Sequence, residues 1–306
     1  MTRAFQPDLA VVLGGGGARG FCHVGVLRAL NALGLHPGIV VGVSMGGIVG
    51  ATYALNPYWD RALQAMDLSG FPETFATEDG TPVDIDLGDR LRKARDVQKG
   101  LADFLFDAGA GASKVAWGRS MLSELVLGKR LDDSQAKIVL SATDLGTGER
   151  VLMGAGDAVD AMYASSALAG LMPPLDYDGR KLIDGAYSDM APVDVARDLG
   201  ARFVIAVDAC QIVPDILPKT GAQILQRAIE LTQSAYAAER FREADLVLKP
   251  DFGRRVRVLD FNLRKLCIRA GESIVQDRKE DILNGFKAAT TRPSILAKVR
   301  AKLGQS

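Results

Sequence analysis

The sequence predicts an α/β protein built on a mostly parallel sheet that helices cover on both faces. The first observation is the opening order of strand, helix, strand and helix, which is typical of parallel sheets. The second is that short apolar runs recur downstream with helical patterns between them. We find no repeat of fixed period and no linker that divides the chain, so a single domain over residues 1–306 is predicted.

The opening elements follow from the spacing of their apolar residues. Asp8 to Leu13 predicts a short buried strand, and a run of glycines follows it. Apolar residues at helical spacing then predict a helix that ends near Gly34. Ile39 to Val43 predicts a second buried strand, and after Ser44 a second helix is expected to run to about Leu55.

The later part of the chain predicts four more strands, with helices at Val193–Leu199 and Ala222–Arg240. Residues 71–127 are less regular and favour a helix packed on the core, followed by a flexible loop at Ala108–Ser113. A mobile cap over a site is the alternative. A C-terminal helical extension is expected at about 262–306. The four strands are Lys137–Ser141, Lys181–Ile183, Phe203–Val207 and Leu246–Leu248.

Composition limits the classes of partner and compartment. The 37 basic and 37 acidic residues balance, so no net field favours nucleic acid. Three cysteines without metal-ligand spacing predict neither a disulfide framework nor a metal site, and they fit a reducing cytoplasm. No signal peptide is visible at the start. Ile39 to Leu55 is strongly apolar, but its glycines favour a strand, a turn and a helix over a membrane span.

The glycine loop has two interpretations. Gly15, Gly17 and Gly20 match the G-x-G-x-x-G pattern of dinucleotide sites. Such a site also needs an acidic residue roughly 20 positions further on, and none stands between Gly20 and Trp59. A phosphate-loop lysine is missing as well, which makes nucleotide binding the weakest of three functional hypotheses.

The second interpretation of the loop is an oxyanion hole. Consecutive glycines allow main-chain N–H groups to converge on a developing negative charge. We predict Gly15, Gly16 and Gly17 as the donors, with Arg19 anchoring the loop or assisting. A tight turn between strand and helix would explain one or two glycines, but four in a row exceed what a turn needs.

Ser44 is the predicted nucleophile. It is the centre of Gly42-Val-Ser-Met-Gly46, a G-x-S-x-G pattern between a buried strand and an apolar helix. This pattern forms a sharp turn that exposes the serine hydroxyl, and the flanking glycines relieve the crowding. The alternative role for Ser44 is an ordinary helix N-cap.

The expected general base is a carboxylate. Both histidines precede Ser44: His23 is expected to pack in the core or behind the site, and His36 to be solvated in a turn. A free Asp is a poorer proton acceptor than His by roughly 3.5 kcal/mol, and burial reduces that gap. The spacing does not decide which of three aspartates is the base, since each stands at the end of an apolar run. The second of them could instead belong to a hairpin turn. They are Asp144, Asp184 and Asp208.

These residues resemble the patatin-like phospholipase family, close to its bacterial branch related to neuropathy target esterase. The resemblance covers Leu9 to about Asp208 and is expected to reach Phe261. It rests on the blocks Gly14–Gly20, Gly42–Gly46 and Asp184–Ala186, supported by the stretches SATDLGTGER and ASSALAGLMPP.

The resemblance implies a three-layer α/β/α fold and a Ser-Asp dyad of Ser44 and Asp184, with the first block as the oxyanion hole. It implies hydrolysis of phospholipid or lysophospholipid acyl esters through an acyl-enzyme, without a cofactor. Ala169 stands where the family usually has proline, in a loop that borders the site in relatives, so substrate fit is open.

Two further questions stay open at the level of sequence. A non-catalytic scaffold or regulatory protein that retains the fold is the second functional hypothesis, although all three blocks are intact. Residues 294–303 form a basic amphipathic pattern, which favours docking on the chain's own domain. Peripheral contact with the inner face of the membrane is the alternative.

Overall fold

The computed structural model describes residues 4–71, 110–211 and 221–291. Within these ranges, eight strands form one sheet. In chain order they are β1 (Gln6–Leu13), β2 (Pro37–Val43), β3 (Lys137–Asp144), β4 (Arg150–Met153), β5 (Leu175–Tyr177), β6 (Arg180–Asp184), β7 (Phe203–Val207) and β8 (Leu246–Leu248).

The hydrogen-bonded strand order is β5–β6–β3–β2–β1–β7–β8, and β4 also pairs with β3. The β1, β2, β3, β7 and β8 strands run parallel, whereas β4, β5 and β6 join through antiparallel pairs. The described helices are α1 (Cys22–Ala32), α2 (Met45–Leu55), α3 (Trp59–Ala65), α4 (Ala110–Val126), α5 (Ala158–Ser166), α6 (Val193–Asp198), α7 (Gly221–Phe241), α8 (Arg264–Asp277) and α9 (Lys279–Thr291).

The core lies in two apolar clusters on opposite faces of the sheet. Successive side chains of a strand point to opposite faces. Leu9, Val11 and Leu13 of β1 therefore pack on one face with α1, α2, α5 and α8. Ala10 and Val12 pack on the other face with α6 and α7. The predicted α/β fold with helices on both faces of the sheet is confirmed.

β2 and β6 meet end to end along one edge of β3. β2 pairs with Lys137–Ser141 of that strand, and β6 pairs with Ala142–Asp144. β4 pairs with Leu140–Thr143, which overlaps both stretches. Since a strand has only two edges, β2 and β6 must share the edge opposite β4. Because β6 runs antiparallel to β3, the carboxyl ends of β2 and β6 face each other there.

Two glycines allow α1 and α8 to cross in contact. A Cβ atom added at Gly25 would overlap the carbonyl oxygen of Ile268, and one added at Gly271 would overlap the carbonyl oxygen of Cys22. Arg264, at the start of α8, lies over the Phe21 ring and donates to the Met66 carbonyl oxygen. This crossing joins the C-terminal helices to the N-terminal half of the domain.

Some predicted elements are confirmed, one is wrong, and others lie outside the described residues. The apolar stretch Ile39–Leu55 forms part of β2 and all of α2, as predicted. The predicted loop at Ala108–Ser113 is wrong from Ala110 onward, because α4 begins there. The remainder of the possible cap, at 72–109, lies outside the described residues, as does the amphipathic pattern at 294–303. In the described part of the chain, no helix is long and apolar enough to cross a membrane.

The helix crossing gives a first prediction. We expect Gly271→Val to lower the free energy of unfolding by at least ~2 kcal/mol, because a side chain there forces the two helices apart. Thermal unfolding monitored by circular dichroism measures the loss. Ser273→Ala, at an exposed position of the same helix, is the matched control and should change little. Equal stability of the two variants would contradict the described crossing.

Candidate active site

Ser44 lies on a strained turn between β2 and α2. Its φ and ψ of 56° and −127° are a conformation that L-residues rarely adopt. A Cβ atom at Gly42 would lie 2.5 Å from the Gly47 Cα, and one at Gly46 would overlap the Leu13 carbonyl oxygen. The two flanking glycines are therefore needed because main chains approach closely on both sides of the serine.

The carboxylate of Asp184 lies in contact with Ser44. The Ser44 hydroxyl donates to Asp184 Oδ2 at 2.6 Å, and the Ala186 N–H donates to Oδ1 at 2.9 Å. Asp184 is only 2% exposed. Burial raises its pKa to about 6, against the opposing effect of these two hydrogen bonds. At neutral pH the group is therefore mostly ionised and yet close to its protonation point.

One segment at the end of α5 holds the main chains of both residues. The Ser44 N–H donates to the carbonyl oxygen and to the hydroxyl of Ser165, each at 3.0 Å. The Asp184 N–H donates to the Ala167 carbonyl oxygen at 3.0 Å. On the other side, the Thr143 hydroxyl donates to the Asp184 carbonyl oxygen at 2.9 Å. The relative position of the serine and the carboxylate is thus fixed mainly through main-chain groups.

The glycine loop passes directly beside the serine. A Cβ atom at Gly15 would lie 3.5 Å from Ser44 Cβ, and Gly16 and Gly17 line the cleft above it. The N–H groups of these three glycines donate to no acceptor in the described part of the chain. Arg19 is buried and its Nε donates to the Gly16 carbonyl oxygen at 3.2 Å, which places it as an anchor of the loop.

The other candidate bases lie elsewhere. Asp144 accepts from the Gly146 N–H, and Asp208 accepts from the Cys210 N–H and pairs with Lys249. His36 contacts Asn31 in a half-buried turn rather than a fully solvated one. The alternative of a hairpin turn at Asp184-Gly185 is wrong, since a short 3₁₀ turn at Gly185–Tyr187 follows β6.

A cleft that is open at its mouth leads to Ser44. Among the described residues that line it, the charged ones are Arg19 and Glu230. Leu168 and Leu171, from the loop that also contains Ala169, line the cleft. The remaining wall is dominated by apolar side chains, namely Ile48, Met66, Leu68, Phe71, Met121, Leu122, Met172, Leu259 and Phe261.

Helix α7 borders the cleft with its polar face. Glu230 and Gln233 line the cleft, and Gln233 Nε2 donates to the Ala186 carbonyl oxygen at 3.0 Å. Large apolar side chains of the same helix are 36–64% exposed to solvent. The helix therefore exposes apolar side chains, although Ala237 and Phe241 near its C-terminal end pack in the core as in a usual amphipathic helix. The exposed apolar residues, here called the outer face of α7, are Ile224, Leu225, Ile229, Leu231 and Tyr236.

An ion-pair cluster fixes the chain just after Asp184. Asp189 is buried and pairs with Arg150 at 2.7 Å and with Arg240 at 3.2 Å. Both arginines also pair with Asp194, at the start of α6. The cluster ties β4, α6 and α7 to the loop that follows the carboxylate. Sequence reasoning did not identify this cluster, because its members are far apart in the chain and match no motif.

Comparison with known proteins identifies the family of the chain. The model of the family described as patatin-like phospholipase matches residues 11–197, which is more than half of the chain. The chain belongs to the patatin-like phospholipase family. The chain is 32% identical over 206 residues to a patatin-like phospholipase domain-containing protein of Caenorhabditis elegans, covering 67% of this chain and 14% of that protein.

Other relatives are of the same kind. Lysophospholipase NTE1 of Pyricularia oryzae is 28% identical over 210 residues, which cover 68% of this chain and 12% of that protein. Human patatin-like phospholipase domain-containing protein 6 is 30% identical over 202 residues, covering 65% of this chain and 13% of the relative. The patatin-like chain thus spans about an eighth of the length of these curated relatives.

Human GIVD cytosolic phospholipase A2 aligns with a TM-score of 0.46 at 14% identity, covering 92% of this chain and 60% of that structure.

The pKa of Asp184 gives a second prediction. The pKa of the Asp184 carboxyl is about 6 in the folded chain and 3.8 in the unfolded chain. Its protonated form therefore favours folding, and this contribution to stability is fully present below pH 3.8 and is lost as the pH rises through 6. Above pH 6 we therefore expect Asp184→Asn to be more stable than the parent chain, by up to roughly 3 kcal/mol. Denaturant unfolding at a series of pH values measures the difference.

The stability difference should shrink as the pH is lowered from 6 to 3.8. Asp176→Asn is the matched control, because that carboxylate is 80% exposed on β5, and it should gain no stability at any pH. An Asp184→Asn chain that is less stable than the parent at pH 8 would show that the carboxylate is not destabilised by burial.

Proposed function

We propose that this patatin-like chain hydrolyses carboxylic esters of lipids, of the phospholipid or lysophospholipid class, with Ser44 as nucleophile and Asp184 as general base. The observation that supports this most directly is the 2.6 Å hydrogen bond from the Ser44 hydroxyl to the Asp184 carboxylate at the end of an apolar cleft. The names of the relatives, which include a lysophospholipase, support the same substrate class.

The proposed reaction has two halves. Ser44 Oγ attacks the ester carbonyl carbon while its proton passes to Asp184 Oδ2, and the tetrahedral oxyanion is held by N–H groups of Gly15, Gly16 and Gly17. Collapse breaks the bond to the leaving alcohol, which takes the proton from Asp184. Water then attacks the acyl-enzyme, gives a proton to Asp184, and releases the carboxylic acid as that proton returns to Ser44.

The cleft supports a lipid acyl chain as the group that binds. Burying apolar surface stabilises a complex by roughly 25 cal/mol per Å², so a wall of aliphatic, aromatic and methionine side chains favours a long alkyl chain over a polar acyl group. Arg19, the one cationic residue among the described residues of the wall, is already bonded to main-chain oxygens. Recognition of an anionic headgroup inside the cleft therefore has less support than recognition of the alkyl chain.

The scaffold hypothesis predicts an inert Ser44, and this distinguishes it from catalysis. We expect Ser44→Ala and Asp184→Asn each to lower turnover of a short p-nitrophenyl ester by at least about 10³-fold, because nucleophile and base act as a unit. A fluorophosphonate probe should label the parent chain and not Ser44→Ala. Thr143→Ser, which keeps the hydroxyl that contacts Asp184, is the control and should retain activity. Substantial turnover by folded Ser44→Ala would refute the assignment.

We further propose that the outer face of α7 contacts the lipid surface from which the substrate is taken. Large contiguous apolar patches on a protein surface mark sites that interact with proteins, ligands or membranes. Here the opposite face of the same helix lines the cleft through Glu230 and Gln233. A lipid that leaves a bilayer beside this helix therefore has the cleft mouth next to it.

This contact predicts a difference between two kinds of substrate. We expect Leu225→Ser with Ile229→Ser to weaken co-sedimentation with phosphatidylcholine vesicles and to lower turnover of vesicle lipid, while turnover of a short soluble ester is unchanged. Leu152→Ser, at an exposed apolar position on β4, is the control. Unchanged vesicle binding by the double variant would exclude this face. An equal loss of turnover on vesicle lipid and on the soluble ester would instead indicate that residues of the chain itself cover the outer face of α7.

A further inference from the structure

His23 is a buried residue with a specific polar contact that the proposed reaction does not yet use. It is the second residue of α1, is 0% exposed, and its Nε2 lies 2.8 Å from the carbonyl oxygen of Gly14. A carbonyl oxygen can only accept, so Nε2 bears the proton. Burial lowers the pKa of His23 to about 4, against the opposing effects of Gly14 and the Asp208 carboxylate. The ring is therefore neutral at every pH at which Asp184 is ionised.

The bond to Gly14 determines the direction of the next amide. Every peptide bond in the described residues is trans, and in a planar trans peptide the C=O and the following N–H point in opposite directions. Because His23 holds the Gly14 carbonyl oxygen, the Gly15 N–H must point away from His23. Gly15 is the glycine that lies against Ser44, and its N–H has no acceptor in the described part of the chain.

We propose that His23 is a positioning residue, which fixes the Gly14–Gly15 peptide so that the Gly15 N–H faces the oxyanion formed at Ser44. This inference rests on the proposed function, because an oxyanion forms only if Ser44 acylates. It assigns a role to the histidine that acts through the main chain and needs no contact with substrate.

Arg19 forms the same arrangement two residues further along. Its Nε and its own N–H both donate to the Gly16 carbonyl oxygen, and its Nη1 donates to the Gln211 carbonyl oxygen. By the same trans geometry, the Gly17 N–H points away from Arg19. Two side chains thus hold alternate carbonyls of the loop. A glycine loop is otherwise free in φ and ψ, so this fixation supplies the preorganisation that oxyanion stabilisation requires.

The test compares His23→Leu, which removes the donor, with His23→Gln, whose side-chain amide can donate from a similar position. On a soluble p-nitrophenyl ester we expect His23→Leu to lower kcat at least about 10-fold, since losing one oxyanion donor costs 10²–10³ and a misdirected one less. KM should change little, and His23→Gln should recover most of kcat. Inhibition by a trifluoromethyl ketone, which forms a tetrahedral anion with serine, should weaken in parallel with kcat.

Thr52→Val is the matched control, because it removes a buried hydroxyl that donates to a carbonyl oxygen within α2 at 2.7 Å. It should lower the unfolding temperature without lowering kcat. Where His23→Leu does not fold, His23→Asn, whose shorter amide cannot reach the same position, takes its place. Full kcat in a folded His23→Leu or His23→Asn chain overturns the inference, and so does a His23→Gln chain as impaired as His23→Leu. A parent chain without Ser44-dependent turnover refutes the proposed function instead, so the two failures are distinguishable.

Discussion

The contact between the Ser44 hydroxyl and the Asp184 carboxylate depends on how two strands share one edge of a third. β2 ends opposite Ser141, and β6 arrives from the other direction and ends opposite Ala142. Ser44, which follows β2, and Asp184, which ends β6, are therefore brought together by main-chain pairing. This explains why the carboxylate of Asp184, the last residue of β6, can stand within 2.6 Å of a serine that is 140 residues earlier in the chain.

The same arrangement destabilises the fold locally. Ser44 occupies a positive φ, and Asp184 is an ionisable group almost without solvent contact. Both features raise the free energy of the folded state, and such features persist only where the surroundings determine them strongly. Here the surroundings are the close main-chain contacts at Gly42 and Gly46 and the ion pairs of Asp189. The strained conformation of the site therefore depends on the rigid contacts around it.

Local patterns predicted the strands before both site residues, because apolar runs and flanking glycines are short-range signals. They could not choose between Asp144, Asp184 and Asp208, since that choice depends on β6 pairing with β3 beyond the end of β2, which is a long-range fact. The three- and four-residue strands β5 and β4 are too short to show alternation. The apolar face of α7 was visible in the sequence, but helical spacing alone does not say which face of a helix turns inward.

For the proposed reaction, the raised pKa of Asp184 explains why no histidine is needed beside Ser44. A free Asp is a much weaker base than His, but at a pKa of about 6 the buried carboxylate lies within roughly half a unit of a free imidazole. An imidazole would also need a third group to set its tautomer and orientation. A carboxylate has two equivalent oxygens, and one bond from the Ala186 N–H to Oδ1 orients the other towards Ser44. Burial thus substitutes for the histidine and the Ala186 N–H for its orienting partner, and the remaining stabilisation of the transition state must come from the glycine loop.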